Sequence, residues 1–161
     1  MIRPLDLSDL RVAERVVEIQ RAAYRVEAGL IGFDGIPALH ESVHDVRAHD
    51  LSWRGAFVGD VIAGIVGWRV EGGCCDIDRL AVDPGFARRG HGRCLVATLL
   101  HHPAVVVSTG TLNLPARRLY ESLGFVACGE REVAAGVTVT RYERCRRLAD
   151  DPDPAAGSAV W

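Results

Sequence analysis

The stretch Val82-Asp83-Pro84-Gly85-Phe86-Ala87-Arg88-Arg89-Gly90-His91-Gly92-Arg93 runs from an apolar strand, through a turn rich in glycine and arginine, into the start of a helix. Gly90 and Gly92 leave the backbone accessible, and the N–H groups of a helix's first turn have no partner within the helix. The helix dipole and the charges of Arg88, Arg89 and Arg93 favour an anion at this point. The stretch therefore predicts a phosphate-binding loop in an α/β fold.

Spacing separates this loop from two other phosphate-binding motifs. A dinucleotide fingerprint needs a third glycine where Leu95 stands, and a P-loop needs a lysine, a residue that this chain lacks. The remaining pattern resembles motif A of the GNAT superfamily of N-acetyltransferases, in which Gln/Arg-x-x-Gly-x-Gly/Ala binds the pyrophosphate of acetyl-CoA. Ala87 occupies the first position of that pattern, and both glycines are in register. For this segment alone, an ordinary glycine-rich turn before a helix is the alternative.

A second segment, Asn113-Leu114-Pro115-Ala116-Arg117-Arg118-Leu119-Tyr120-Glu121-Ser122-Leu123-Gly124-Phe125, predicts a helix with Asn113 as N-cap and Gly124 as its C-terminal stop. This segment resembles motif B of the same superfamily. The resemblance implies that Asn113 and the helix border the pantetheine arm of the cofactor, and that the Tyr120 hydroxyl points at the sulfur. Considered by itself, Tyr120 is equally typical of a packing aromatic on an amphipathic helix.

The resemblance, carried by residues 77–125, implies the GNAT fold: an α/β fold whose central, mixed, mostly antiparallel, twisted sheet has about seven strands and is flanked by about four helices. The sequence pattern is compatible with that element order. Strands are predicted at residues 2–5, 54–58, 61–70, 74–82, 104–108, 125–133 and 137–145. The predicted helices are one capped by Ser8 and ended by Gly29, one from Pro37 to about His49, one from Gly90 to about His101, and the helix of Tyr120.

Length and composition predict one domain. A chain of 161 residues, 48% of them hydrophobic, can bury a single core, which we assign to residues 1–148. Residues 149–161 are acidic and rich in proline, alanine and glycine, and we expect a disordered tail. A net charge of −2 argues against nucleic-acid or anionic-membrane partners. The early charged residues and the absence of a long apolar run, together with five scattered cysteines, predict a cytoplasmic protein.

The resemblance implies acetyl-CoA as co-substrate, without a metal, and assigns residues to its binding. The backbone of Leu80-Ala81-Val82 would contact pantetheine, and one of its N–H groups would polarise the acetyl carbonyl. The remaining implied cofactor-binding residues are Arg88, Arg89, Gly90, His91, Gly92, Arg93, Asn113, Arg117 and Tyr120. Tyr120 is also the expected general acid for the leaving thiolate, because a phenol with an ordinary pKa near 10 suits proton donation.

The general base is open at this stage. Several family members carry a glutamate at the position of Ser108, and a serine cannot do that work unaided. Asp76 and Asp78 are the nearest carboxylates, and alternation along a strand would place them on one face with Leu80. They are at least as typical of solvent-facing strand residues. Proton removal through water, or an acceptor amine with a low pKa, would need no carboxylate. We expect Tyr24, Glu27 and His40 to contact the acceptor amine.

One further segment, His40-Glu41-Ser42-Val43-His44, matches the zinc-hydrolase motif His-Glu-x-x-His. That motif needs both histidines on one helix face, and a polar helix face explains the same residues. The hypothesis favoured by the sequence is an N-acetyltransferase that transfers the acetyl group of acetyl-CoA directly to a primary amine of a small molecule or peptide. A non-catalytic acyl-CoA-binding module on the same fold is the alternative, and zinc hydrolysis is a remote one. Homodimers are common in the family, but this sequence identifies no interface.

Overall fold

A computed structural model describes residues 1–146, so the predicted tail at 149–161 lies outside the described residues. Seven strands form one sheet, in the order β1-β2-β3-β4-β5-β7-β6. The strands are β1 (Ile2–Pro4), β2 (Ser52–Val58), β3 (Val61–Glu71), β4 (Cys74–Val82), β5 (Ala104–Gly110), β6 (Val126–Ala134) and β7 (Val137–Cys145). The β4–β5 pair is parallel, and the other neighbouring strands are antiparallel. The mixed, mostly antiparallel sheet predicted from the sequence is confirmed.

Five α-helices cover the sheet within the described part of the chain. They are α1 (Leu10–Ile31), α2 (Pro37–His40), α3 (Val43–Ala48), α4 (His91–Ala97) and α5 (Leu114–Ser122), and a 3-10 turn spans Pro84–Phe86. Buried residues of α1 and α3, such as Val16 and Val46, pack on one face of the sheet with Ile65. Leu95 of α4 and Tyr120 of α5 pack with Val66 on the other face. The neighbours Ile65 and Val66 thus point into separate cores, as alternation along a strand requires.

The bounds of α1 differ from the prediction at both ends. Asp9, not Ser8, is the N-cap, because its side chain accepts a hydrogen bond from the Arg11 N–H. The helix does not stop at Gly29 but continues to Ile31 and ends at Gly32, which has φ +67° and donates its N–H to the Ala28 carbonyl. A glycine that adopts the left-handed conformation satisfies a helix C-terminus, and Gly32 rather than Gly29 is so placed.

The single helix predicted between Pro37 and His49 is wrong, since two short helices occupy that segment. Glu41 is extended, with φ −71° and ψ 141°, and separates α2 from α3. Ser42 then caps α3 by accepting a hydrogen bond from the Asp45 N–H, while the Asp45 carboxylate accepts one from the Ser42 N–H. This reciprocal capping box stabilises a helix start in the middle of the predicted helix.

The helix α4 is shorter than predicted, ending at Ala97 rather than near His101. The Thr98 hydroxyl donates to the Leu95 carbonyl at 2.7 Å, and turns continue the chain to β5. Threonine hydroxyls that bond to nearby carbonyls compete with the helix in this way. None of the helices between Met1 and Arg146 combines the length and hydrophobicity that a membrane span needs.

Candidate active site

The sheet is split between its two parallel strands. β4 and β5 are paired from Cys74–Ala104 to Ile77–Val107, and beyond that point each strand continues with only its outer neighbour. β4 runs on to Val82 against β3, while β5 runs on to Gly110 against β7. Strand edges present unpaired N–H and C=O groups. The split therefore opens a cleft whose one wall is the free backbone edge of β4 after Ile77.

A β-bulge lies where the cleft begins. Gly67 pairs with Arg79 and Trp68 pairs with Ile77, so Asp78 is an extra residue on β4. Bulges interrupt the alternation of side chains along a strand. Consecutive residues from Ile77 to Leu80 consequently line the same cavity. The expected common face of Asp76, Asp78 and Leu80 is wrong, because Asp76 is exposed and is not among the residues that line the cavity.

The cavity at the cleft has a volume of about 470 Å³. Its walls come from the end of α1, the segment leading into α2, both split strands, α5 and the β6–β7 hairpin. Six of the predicted site residues line it, namely Tyr24, Glu27, Asp78, Leu80, Asn113 and Tyr120, and so does Ser108. Ala81, Val82, the arginine-rich loop and His40 do not line it. The structure thus brings together two of the three expected acceptor-binding residues, Tyr24 and Glu27, with the expected proton donor Tyr120, while His40 and the arginine-rich loop lie outside the cavity.

Tyr120 is buried on α5 and faces the cavity. Its ring packs against Phe125 and Tyr142, with centroids 5.5 and 5.9 Å away. Burial raises the pKa of the Tyr120 hydroxyl above its usual value, and the charges of Tyr24 and Glu27 add to the increase. Burial and the Glu27 charge also raise the pKa of Tyr24. Both phenols are consequently protonated at neutral pH, and Tyr120 can act as a proton donor.

Two carboxylates line the cavity, and their surroundings differ. Asp78 is held by arginines, since its Oδ2 accepts from Arg69 at 2.9 Å and its Oδ1 accepts from Arg79. Glu27 is partly buried, and its Oε1 lies 3.5 Å from the Thr109 hydroxyl. Among residues 1–146, Glu27 has no ion-pair partner. Glu27 is therefore the carboxylate that remains available to a ligand.

Arg79 connects this wall to the helical segment above it. Its NH2 donates to Glu41 Oε1 at 2.8 Å, and the same oxygen accepts from His49 Nε2 at 2.6 Å. Glu41 Oε2 accepts from the side chain of the fully buried Gln20 at 3.2 Å. Burial alone would raise the pKa of Glu41, but the hydrogen bonds and the charge of Arg79 outweigh it and lower the pKa below its usual value. Glu41 thus fixes the α2–α3 junction to β4.

The arginine-rich loop starts at a fixed carboxylate. Asp83 Oδ1 accepts from the Gly85 N–H at 2.8 Å and Oδ2 accepts from Arg15 of α1 at 2.5 Å, which together hold the pKa of Asp83 below its usual value. Gly90 has φ +80° and precedes α4 without a side-chain cap. The N–H groups at the start of α4 are thus available to an anion, as helix geometry requires.

The loop glycines and arginines have separate environments. A Cβ on Gly92 would lie 3.2 Å from Leu119 and 3.7 Å from Val82, so Gly92 permits close packing of α4 against α5 and β4. Arg88 has φ +62° and is exposed, as is Arg89, whose guanidinium lies over the Phe86 ring at 5.6 Å. These two arginines have no ion-pair partner in residues 1–146.

Two of the expected cofactor-binding arginines also make contacts within the fold. Arg93 NH1 donates to the Ser122 hydroxyl at 2.7 Å and so joins α4 to α5. Arg117 donates to the Tyr142 hydroxyl and to the Thr111 carbonyl, both at 2.9 Å. A ligand that engaged either guanidinium would share it with these internal acceptors.

The arrangement needed for a zinc hydrolase is not formed. His40 ends α2 and His44 lies on α3, so the two rings are not one turn apart on a single helix. His40 Nε2 is 2.8 Å from the Asp34 carbonyl. Glu41, the expected general base of that motif, instead accepts the hydrogen bonds of Gln20, His49 and Arg79. Between residues 1 and 146, no three His, Cys, Asp or Glu side chains converge as a metal site would require.

Two charged residues of the cavity were missed in the sequence. Arg79 reaches it because of the bulge at Asp78, for which the alternating pattern carries no signal. Arg131 reaches it from β6, next to Val133 and opposite Val139 of β7. The alternation of Arg131 and Val133 was visible, but only the sheet order shows that this hairpin face borders the cleft.

A mixed sheet split between parallel strands, with a loop rich in glycine and arginine after one of them, defines the class of GNAT folds. The family model described as Acetyltransferase (GNAT) family matches residues 13–125. The chain therefore belongs to the Acetyltransferase (GNAT) family, and the enzyme class of that family is acyltransferase.

Two relatives are similar in sequence. The UPF0157 protein YqkA of Bacillus subtilis is 31% identical in an alignment of 146 residues, which covers 88% of this chain and 43% of that protein. The N-acetylaspartate synthetase of Danio rerio is 32% identical in an alignment of 123 residues, which covers 66% of this chain and 43% of that protein. The chain thus spans less than half the length of either relative.

Solved structures share the fold at low sequence identity. The ribosomal-protein-S18-alanine N-acetyltransferase of Escherichia coli has a TM-score of 0.73 and 18% identity, covering 100% of this chain and 98% of its own. The PaiA N-acetyltransferase of Thermoplasma acidophilum, solved with coenzyme A, has a TM-score of 0.64 and 16% identity, covering 88% of this chain and 96% of its own. These likenesses confirm the fold class expected from the sequence.

Proposed function

We propose that this chain is an N-acetyltransferase that transfers the acetyl group of acetyl-CoA directly to a primary amine of a small molecule or peptide. The observation that carries the proposal is the split after Ile77 and Val107, because the free edge of β4 continues from Leu80, in the cavity that Tyr120 faces, to Val82, which precedes the loop rich in glycine and arginine. A ligand with a phosphate at one end and a reactive thioester at the other fits such a path.

The residues at both ends of the cleft suit acetyl-CoA. The pyrophosphate would accept hydrogen bonds from the N–H groups at the start of α4 and from Arg88 and Arg89. The free edge of β4 from Leu80 to Val82 would bind the amides of pantetheine as an added strand does. The coenzyme A complex of the structurally similar PaiA protein supports this cofactor.

The chemistry needs a neutral amine, a stabilised oxyanion and a proton for the leaving thiolate. One backbone N–H of Leu80 to Val82 would polarise the acetyl carbonyl. Tyr120 would protonate the thiolate, since its buried hydroxyl faces the cavity and its raised pKa keeps it protonated. The nitrogen attacks the carbonyl carbon, the C–N bond forms, and the C–S bond then breaks.

Proton removal from the amine requires an acceptor that reaches the cavity. Asp76 is exposed outside the cavity, and both oxygens of Asp78 already accept from arginines. The structure therefore gives Asp76 and Asp78 less support as the general base than the sequence pattern did.

The name of the zebrafish relative describes an N-acetylated amino-acid product, which supports a small-molecule amine as acceptor.

A non-catalytic acyl-CoA-binding module is the second candidate function. It is favoured by Ser108, which is exposed at a position where several family members carry glutamate, and by Ala87 in motif A. The two functions differ in turnover alone, because both need the cofactor site.

The experiment is to incubate the protein with acetyl-CoA and separate pools of amino acids, polyamines and short peptides, and to detect acetylated products by mass spectrometry. An enzyme yields an acetylated product that depends on Tyr120 and is lost in Tyr120→Phe. A binding module retains acetyl-CoA in calorimetry and yields no product with any pool, which would reject the enzymatic proposal.

A further inference from the structure

We infer that the acceptor is an amine that also carries a carboxylate, bound with its nitrogen at Glu27 and its carboxylate at Arg131. This inference rests on the proposed acetyl transfer and names the acceptor class for the same site. Glu27 and Arg131 are the two cavity charges that lack an ion-pair partner within residues 1–146.

The ion pairs along the cavity wall distinguish Glu27 and Arg131 from the other charged residues there. Four charged residues line the cavity: Glu27, Asp78, Arg79 and Arg131. Asp78 is paired with Arg69 and Arg79, and Arg79 is paired with Glu41 as well. One negative and one positive charge therefore remain without internal compensation. An ammonium carboxylate is the ligand chemistry that neutralises both at once.

The fold holds Glu27 beside the reacting end of the cleft. It lies on the last turns of α1, which pack so closely on β5 that a Cβ on Gly110 would be 2.7 Å from Ile31 and 3.6 Å from Glu27 Oε1. The charge of Glu27 contributes to the raised pKa of Tyr120, which faces the same cavity. A carboxylate in this position can accept an ammonium N–H and then its proton.

Arg131 enters the cavity from a different wall. It lies on β6, the edge strand of the sheet, and pairs with Val139 of β7. Its neighbours in the cavity are the apolar side chains Val133, Val137 and Val139. Arg131 is exposed, so its guanidinium is accessible to a ligand at the mouth of the cavity, and arginine binds carboxylates through a two-pronged hydrogen bond.

The proton balance follows from these positions. The ammonium gives one proton to Glu27, which later releases it to solvent, and the free amine attacks the acetyl carbon. As the C–S bond breaks, the thiolate takes the Tyr120 proton. The nitrogen bonded to the acetyl group then gives its extra proton to the Tyr120 phenolate, which restores the Tyr120 hydroxyl. The products are the acetylated amine, the free thiol of coenzyme A and one proton in solution.

The test measures initial rates by mass spectrometry with matched pairs of acceptors, each an α- or ω-amino acid and its carboxamide. The amine of a carboxamide is less basic than that of the acid, so a larger fraction of it is unprotonated at a given pH. That difference alone would make the carboxamides react faster. We expect the acids nevertheless to have kcat/KM at least about tenfold higher, the effect of one charge-assisted contact. Arg131→Ala should remove that preference, lowering kcat/KM for the acids by at least about tenfold more than for the carboxamides, whereas the matched control Arg11→Ala, on the exposed start of α1, should leave the preference intact.

Glu27→Gln tests the nitrogen end. It should lower kcat for acids and carboxamides alike by about 10²-fold, the size of a general-base contribution, and part of the loss should return as pH approaches the amine pKa. Its calorimetric affinity for acetyl-CoA should equal that of the native chain.

Equal rates for acids and carboxamides, or an Arg131→Ala loss that affects both alike, would overturn the acceptor assignment while transfer itself stands. Absence of transfer to every carboxylate-bearing acceptor, with acetyl-CoA still bound, would overturn it too. If the native chain does not bind acetyl-CoA at all, the proposed function itself is rejected.

Discussion

Arg15 of α1 and Asp83 at the end of β4 form a hydrogen-bonded ion pair, with 2.5 Å between NH2 and Oδ2. The same guanidinium donates to the Ile62 carbonyl of β3 from Nε at 3.2 Å and NH2 at 3.0 Å. Asp83 in turn accepts the Gly85 N–H at 2.8 Å. One arginine on the first helix therefore fixes where the loop of residues 84–90 begins.

Replacing Arg15 should weaken cofactor binding at a distance. In Arg15→Met the aliphatic stem is retained, but Asp83 and the Ile62 carbonyl lose their donor, so the loop start becomes mobile. We expect the Kd for acetyl-CoA to rise about tenfold and the free energy of unfolding to fall by about 1–2 kcal/mol. Calorimetry and urea unfolding at neutral pH measure the two effects. Arg11→Met on the same helix is the control, and an equal response of both variants would contradict the assignment.

Acid stability should depend on Glu41. Hydrogen bonds from His49, Arg79 and Gln20 lower its folded pKa below the usual 4.5 despite burial. A lowered pKa contributes stability that is fully present above pH 4.5 and is lost as pH falls through the folded value. Glu41→Gln should therefore lower the urea midpoint at pH 7, and the difference from the native chain should shrink below about pH 4.5. A difference that stayed constant to pH 3 would show that the charge is not responsible.

Replacing Gly90 should lower both the stability of the fold and its affinity for acetyl-CoA. A Cβ there meets no atom within 4 Å, but φ is +80°. Gly90→Ala should cost about 1–2 kcal/mol of stability and also weaken acetyl-CoA binding, since the methyl group restricts the approach of phosphate to the backbone. Gly72→Ala is a matched control, because Gly72 has φ +56°, equally open surroundings and a place in the β3–β4 turn. It should lose the same stability and keep its affinity; parallel losses of affinity would attribute the effect to strain alone.

Removing the Tyr120 hydroxyl should separate chemistry from binding. Tyr120→Phe should lower kcat by about 10²-fold with an unchanged Kd for acetyl-CoA, because the ring still packs while the proton donor is gone. The raised pKa also means that the native rate should show no Tyr120-dependent decline up to pH 10. Tyr142→Phe is the control: that hydroxyl binds Arg117 and Glu121, so stability should fall and kcat should not. Similar kcat values for Tyr120→Phe and the native chain would remove Tyr120 from the mechanism.

Local signals in the sequence predicted much of the fold. The Gly90 turn, the Asn113 cap and the strand from Cys74 to Val82 each depend on neighbouring residues and were found. The break at Glu41 was missed although its capping residues were visible, because a continuous helix satisfies the same apolar spacing. The helix α1 ends at Gly32 instead of Gly29 because Gly32 is the glycine that adopts the left-handed conformation.

The candidate site was less accessible to sequence reasoning. The bulge at Asp78 arises from the register between β3 and β4, and it determines which carboxylate reaches the cavity. Glu27 and Arg131 are more than one hundred residues apart and share a cavity only because β7 lies between β5 and β6. Such pairings depend on sheet order, to which no single segment is a guide.

The most direct test of the central claim is a calorimetric titration of the native chain with acetyl-CoA in the presence of EDTA, with NAD and ATP as comparison ligands and Gly90→Glu as the variant. We expect one-site binding of acetyl-CoA that is tighter than that of either nucleotide and is lost in Gly90→Glu, where a carboxylate opposes the phosphate. No binding of acetyl-CoA by folded native protein, or equal binding by the variant, would contradict the claim that this loop and cleft hold the acetyl donor.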